Sequence, residues 1–314
     1  MALLLSSLNV VLPLFVMMLA GWLVRRVGLV TAPGLAELNR LNVRFFLPVM
    51  LFSSVCEGDL LQGTGLTFAA FAVTASVLLF LLIVAAVNRL VEDPRRRCAL
   101  VLGMYRPNSA IYGLPLAAGI LGDAGAVADV LVMTSVLILV TNLLAVVAAE
   151  LFKGERPRPL ALLLRAVKNP IIYGLALGMV AQALPFSLPQ LLLSPLRSLA
   201  AAATPIAFVV LGATFTLSAC KKDARLLAVA SAVKLLLTPL AVIPLGILLF
   251  DFRGAALVAL LCAFATPTAV SALPMVADAG GDGELTSEII VVTTGLSILT
   301  IFGFVYAFKL LGLF

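Results

Sequence analysis

The chain has 314 residues, 63% hydrophobic and only 11% charged, with a mean hydropathy of +1.20 and a formal net charge of +6. Soluble domains carry about 45–50% apolar and about 25% charged residues, so a soluble fold is excluded. The apolar runs are continuous and reach the roughly 20 residues that cross a bilayer core, whereas barrel strands alternate over about ten. The expectation is an all-α integral membrane protein in contact with lipid.

The first run, "MALLLSSLNVVLPLFVMMLAGW", has no basic residue before it, and Arg25 and Arg26 follow it. That is the wrong order for a signal peptide, and it reads as a first span starting outside. Ten spans are predicted in chain order, at 3–24, 38–55, 66–88, 98–121, 127–150, 169–184, 199–218, 225–250, 254–277 and 286–311. The longest polar connector, Phe152 to Asn169, divides them into halves of five: residues 1–152 and 169–314, joined by a short linker at 153–168.

Orientation follows from lysine and arginine, which favour cytoplasmic loops. Arg25, Arg26, Arg40 and Arg44 fall at the first loop, and Arg89 and Arg95–Arg97 at the third. Lys153, Arg156, Arg158, Arg165 and Lys168 fall at the fifth, and Lys221, Lys222 and Arg225 at the seventh. The even loops and the C-terminus carry only Arg197, Arg253 and Lys309. Both termini are therefore expected outside. The basic balance needs no nucleic-acid partner, because these residues face anionic lipid.

Arg106 and Lys234 fall inside predicted spans. Shifting the sequence by 159 places lays "RPNSAIYGLPLAAGILGD" (Arg106–Asp123) on "ATPTAVSALPMVADAGGD" (Ala265–Asp282). Leu114–Pro115 meets Leu273–Pro274, Gly122–Asp123 meets Gly281–Asp282, and beyond the motif Thr134 meets Thr293. Five spans per half is an odd number, so the halves enter the membrane with opposite polarity. Spans four and nine are the matched, proline-interrupted members of this inverted repeat, a pattern that points to a transporter's binding site. Pro107, Gly113 and Pro115 break one span, and Pro267 and Pro274 break the other.

Proline removes an N–H and clashes with the carbonyl four residues back. In lipid the freed groups must pair or line a cavity. Arg106, Asn108 and Ser109 from one break and Thr266, Thr268 and Ser271 from the other are the candidate substrate ligands. A mid-membrane charge costs at least about 2.5–3.5 kcal/mol, so Arg106 faces a cavity or a partner. No carboxylate is expected deep in a span, and a substrate carboxylate suits the guanidinium. For Lys234, snorkelling to the inner edge ranks ahead of anion binding.

The four cysteines, Cys56, Cys98, Cys220 and Cys262, are far apart, and histidine is absent, so neither a zinc site nor a disulfide framework is expected. HExxH, GxSxG and P-loop patterns are missing as well, so no enzyme and no cofactor are expected. A coupling ion, sodium or proton, remains open. "GLALG" (Gly174–Gly178) is a helix-packing GxxxG.

"LNRLNVRFFLPVMLF", "RPNSAIYGLPLAAGILGDAG" and "ATPTAVSALPMVADAGGDGEL" resemble the auxin efflux carrier family in its short bacterial form, over essentially the whole chain. The resemblance implies the fold of bile-acid sodium symporters and sodium/proton antiporters, with spans four and nine crossing at the site. It implies a scaffold from 1–60 and 169–219, a transport domain from 66–152 and 224–314 that moves like an elevator, and a homodimer in the bacterial cytoplasmic membrane. Family members carry organic anions: auxin in plants, malate or malonate in bacteria. Asn108 matches the family's crossover asparagine, with Pro115 and Pro267 in its crossover breaks. The short central loop departs from the plant form, so auxin specificity is not carried over.

Overall fold

The computed structural model describes residues 2–57, 65–122, 124–152, 170–183, 189–214 and 223–313. Every regular element among them is helical, and one isolated antiparallel bridge joins Pro107 to Thr268. Five helical stretches are long and apolar enough to cross a membrane: Gly65–Leu90, Asp129–Leu151, Gln190–Ala213, Ala224–Phe250 and Gly283–Leu310.

In chain order the helices are α1 (Ala2–Arg26), α2 (Ala32–Leu41), α3 (Leu47–Glu57), α4 (Gly65–Leu90), α5 (Pro94–Tyr105), α6 (Leu114–Leu121) and α7 (Ala124–Leu151). They continue with α8 (Pro170–Ala183), α9 (Gln190–Ala213), α10 (Ala224–Ala232), α11 (Thr238–Phe250), α12 (Gly254–Leu260), α13 (Ala272–Asp278) and α14 (Gly283–Leu310). Polar caps start several of them. Thr31 Oγ1 accepts from the Gly34 N–H at 3.2 Å before α2, Asp93 from Arg95 at 2.9 Å before α5, and Asp282 from Leu285 at 2.9 Å before α14.

These caps move some predicted boundaries. The second span, expected from 38, begins at Ala32, because Thr31 and Pro33 form a helix start. Arg40 and Arg44 therefore lie further from the start of the helical stretch than a span from 38 has them. The seventh, expected from 199, begins at Gln190 behind Pro189, and Pro195 and Pro205 are carried within it. Asp123, the basic residues of the central connector, Cys220, Lys221 and Lys222 lie outside the described residues.

Four short π-helical turns occur among the described residues: Asn42–Phe46, Ser109–Gly113, Val233–Leu237 and Leu261–Ala265. Each ends two residues before a proline: Pro48, Pro115, Pro239 and Pro267. A proline ring collides with the carbonyl four residues back, and one wider turn relieves the collision; the helix runs on through Pro48, Pro115 and Pro239 and ends before Pro267.

Without a hydrophobic drive inside lipid, close backbone approach holds helices together. α1 packs along α9, and α3 packs on α8 and α9. A Cβ on Gly21 would overlap the Val209 backbone, and one on Gly212 would overlap Met18. Gly174, from the predicted GxxxG, packs its bare backbone on Pro48. On a different side, Arg96 reaches Asp223 at 3.2 Å and Asp282 at 3.9 Å, tying the starts of α10 and α14 to α5.

Gly212→Val is expected to cost about 1–3 kcal/mol through overpacking and to lower the unfolding midpoint in detergent by several degrees. Gly303→Val, with open space around its Cβ position, should leave the midpoint unchanged. Size-exclusion profiles after graded heating would check both.

Candidate functional site

Both interrupted stretches turn extended. After α5 the chain leaves the helical region at Arg106 (φ −77°, ψ 109°) and re-enters a helical turn at Ser109. After the π turn at Leu261–Ala265 it leaves at Thr266 (φ −69°, ψ 151°) and returns at Ala272. The two stretches run antiparallel and satisfy each other. Asn108 N donates to Pro267 O at 2.9 Å, and Ala269 N donates to Arg106 O at 3.1 Å. Thr268 N donates to Thr293 Oγ1 at 3.3 Å, and Thr268 Oγ1 donates to Gly103 O at 2.6 Å. Gly113 allows the close approach here, since a Cβ would stand 2.8 Å from Cys262 Cβ.

Beside this pairing lies a cavity of about 700 Å³. Arg106, Pro107, Asn108 and Ser109 line it from one break, and Ala269, Val270, Ser271 and Pro274 from the other. α7 adds Thr141 and Asn142, α14 adds Ser287 and Thr294, and Arg25, Arg40 and Arg44 also line it. No aspartate or glutamate is among these lining residues.

Arg106 is 6% exposed, and its Nη2 donates to Asn142 Oδ1 at 2.6 Å while Nη1 rests on Met275 Sδ. No carboxylate among the described residues pairs with it. The Asn108 side chain is 3% exposed, and its Nδ2 has no hydrogen-bond partner. A buried unsatisfied donor costs about 1–3 kcal/mol. An unneutralised guanidinium and an unsatisfied amide donor in one cavity wall are complementary to an anionic acceptor.

Of the seven expected ligands, the structure brings Arg106, Asn108, Ser109 and Ser271 to this cavity. Thr266 and Thr268 are fully buried and face the protein instead: Thr266 Oγ1 donates to Cys262 O at 2.9 Å, and Thr268 clamps Gly103. Lys234 is 1% exposed and lines a separate small cavity. It sits in the π turn at Val233–Leu237 with its side chain buried, so it does not snorkel. Glu288, expected at a span end, is buried, but it lines neither cavity.

Sequence reasoning missed Asn142. A lone amide in the apolar run "LILVTNLLAVV" was the available signal. Asn142→Asp would place a carboxylate against Arg106 and compete with any bound anion. Malonate binding, followed by isothermal titration, should weaken at least tenfold, and the folded protein should stay intact.

A family model described as membrane transport protein matches residues 6–305. An uncharacterized transporter of Methanothermobacter thermautotrophicus (strain Delta H) is 24% identical over 299 residues, spanning 94% of this chain and 96% of that protein. With its apolar helices, this makes the chain a multi-pass membrane protein. The chain belongs to the membrane transport protein family, which is the auxin efflux carrier family.

Proposed function

We propose that the protein is a secondary transporter of small organic anions, working by elevator-type alternating access. The observation that carries this is the unneutralised Arg106 beside the unsatisfied Asn108 amide, in an acid-free cavity at two paired helix breaks. Arg106 neutralises one substrate carboxylate, and Asn108, Ser109 and Ser271 offer hydrogen bonds. Malate and malonate are of the right class.

The architecture proposed with it is ten spans in two inverted repeats, with crossover breaks in the fourth and ninth. Two features support the repeat. The shift of 159 pairs Asn108 with Pro267, the residues joined by a backbone hydrogen bond. The same shift pairs Thr134 with Thr293, and each hydroxyl donates to the carbonyl four residues back, at 2.8 Å and 2.7 Å. We also propose the 1–60 plus 169–219 scaffold, the 66–152 plus 224–314 moving domain, a homodimer, and placement in the cytoplasmic membrane with both termini outside. In that orientation Arg25, Arg40 and Arg44 lie toward the cytoplasmic side.

The test is charge movement on a solid-supported membrane with proteoliposomes pulsed with malate, malonate, succinate, lactate or indole-3-acetate, with and without sodium. Saturable currents are expected for the dianions malate, malonate and succinate. Arg106→Ala should raise the half-saturating concentration about 10–100-fold, the worth of a charge-assisted pair. Currents at normal affinity in Arg106→Ala would overturn the assignment. Sodium currents without any anion would favour the cation antiporter of the same fold.

A further inference from the structure

A second, much smaller cavity, of about 10 Å³, lies behind the first break. Ser76 of α4, Tyr105 of α5, Thr141 of α7, and Lys234 and Thr238 line it with polar groups. Its size suits a single water. Ser76 Oγ and the Tyr105 hydroxyl are hydrogen-bonded at 2.8 Å, and Thr238 Oγ1 has no partner. Lys234 is 1% exposed, and no carboxylate among the described residues pairs with it. Pro107 and Thr141 line both cavities, so the Lys234 chamber and the Arg106 chamber adjoin.

We propose that Lys234 is the proton-carrying group of this transporter, so that an anion in the main cavity and a proton on the Lys234 amine are bound and released together. This rests on the anion-carrier reading above, and it assigns the coupling ion.

The argument is electrostatic. An ammonium buried without a counter-charge is costly. Its chamber also shares Pro107 and Thr141 with the cavity that the Arg106 cation lines. With the main cavity empty, both terms oppose protonation of Lys234. A carboxylate beside Arg106 and Asn108 cancels one positive charge and attracts the other through a low-dielectric wall. The step is R–NH2 plus a proton from the aqueous phase, giving R–NH3+, and no other bond forms or breaks. Ser76, Tyr105 and the unpartnered Thr238 hydroxyl offer lone pairs to the ammonium, so the chamber tolerates either form.

The neighbouring groups leave Lys234 as the carrier. α5 contributes Tyr105, held by Ser76, and Arg106, turned to the main cavity. The π turn at Leu261–Ala265 contributes Cys262, whose thiol donates to Gly113 O at 2.9 Å. α14 carries Glu284 and the buried Glu288, and neither lines either cavity. Arg225 lies at the start of α10, more than two helical turns before Lys234 in the chain. The polar groups that α4 and α7 contribute to the chamber are the hydroxyls of Ser76 and Thr141.

Linkage is reciprocal, so the anion affinity must depend on pH through the same group. The experiment uses the purified full-length protein in weakly buffered detergent with a pH dye. Malonate and lactate are added between pH 7 and 9.5, where both are fully ionised, and binding is followed in parallel by titration calorimetry. Wild type should take up protons on binding, and its affinity should be about tenfold higher at the acid end. Lys234→Met and Lys234→Arg should still bind anion, with no proton uptake and a flat pH profile, while Tyr105→Phe keeps both. Should Lys234→Met fail to fold, the permanently charged arginine variant decides alone. Anion binding by wild type with no proton uptake overturns the proposal, as does unchanged uptake in either lysine variant. No binding of any anion by wild type overturns the anion-carrier reading itself, and the coupling with it.

Discussion

The structure depends on a pair of backbone hydrogen bonds in an apolar interior: Asn108 N to Pro267 O and Ala269 N to Arg106 O. Two helices are opened at prolines, and each opening strands polar groups that lipid cannot satisfy. The two extended stretches satisfy one another, with Thr268 bridging to Gly103 and Thr293. Once paired, the breaks cost little and become a wall. The large cavity lies beside it, and the Lys234 chamber lies behind it. Every group with chemical interest is held relative to this short antiparallel contact.

Prolines shape the rest of the bundle by a gentler version of the same constraint. Before Pro48, Pro115, Pro239 and Pro267 the helix widens by one residue into a π turn. Three of these turns carry a buried polar side chain into an apolar run: Asn42 in the first, Ser109 in the second and Lys234 in the third. Pro13, Pro195, Pro205 and Pro244 are carried inside ordinary α-helix. A proline therefore permits a wider turn, and its packing neighbours decide whether one forms.

Charge is distributed asymmetrically. The main cavity holds four arginines and no acid among its lining residues. Buried charges are ordinarily paired, and a broken pair is strongly destabilising. Here Asn142 and the Met275 sulfur only orient the Arg106 guanidinium and leave its charge uncancelled. Such a cavity wall carries net positive charge, the property on which the proposed anion substrate rests.

The sequence by itself determined the membrane setting, the run of apolar helices, and the two interrupted stretches matched at a shift of 159. It also determined Arg106 as a cation within an apolar span, since each of these is a matter of composition, spacing or residue type. Only the tertiary structure decided which way the polar residues of the breaks turn. Ser271 faces the cavity, whereas Thr266 and Thr268 bond carbonyls within the protein. It likewise decided that Asn142 receives Arg106 and that Lys234 occupies its own chamber. A helix or strand announces its inward face by its period, but an opened stretch of a few residues has no period to read. Its side chains go where the opposing chain leaves unpaired donors and acceptors, and that chain lies about 160 residues away.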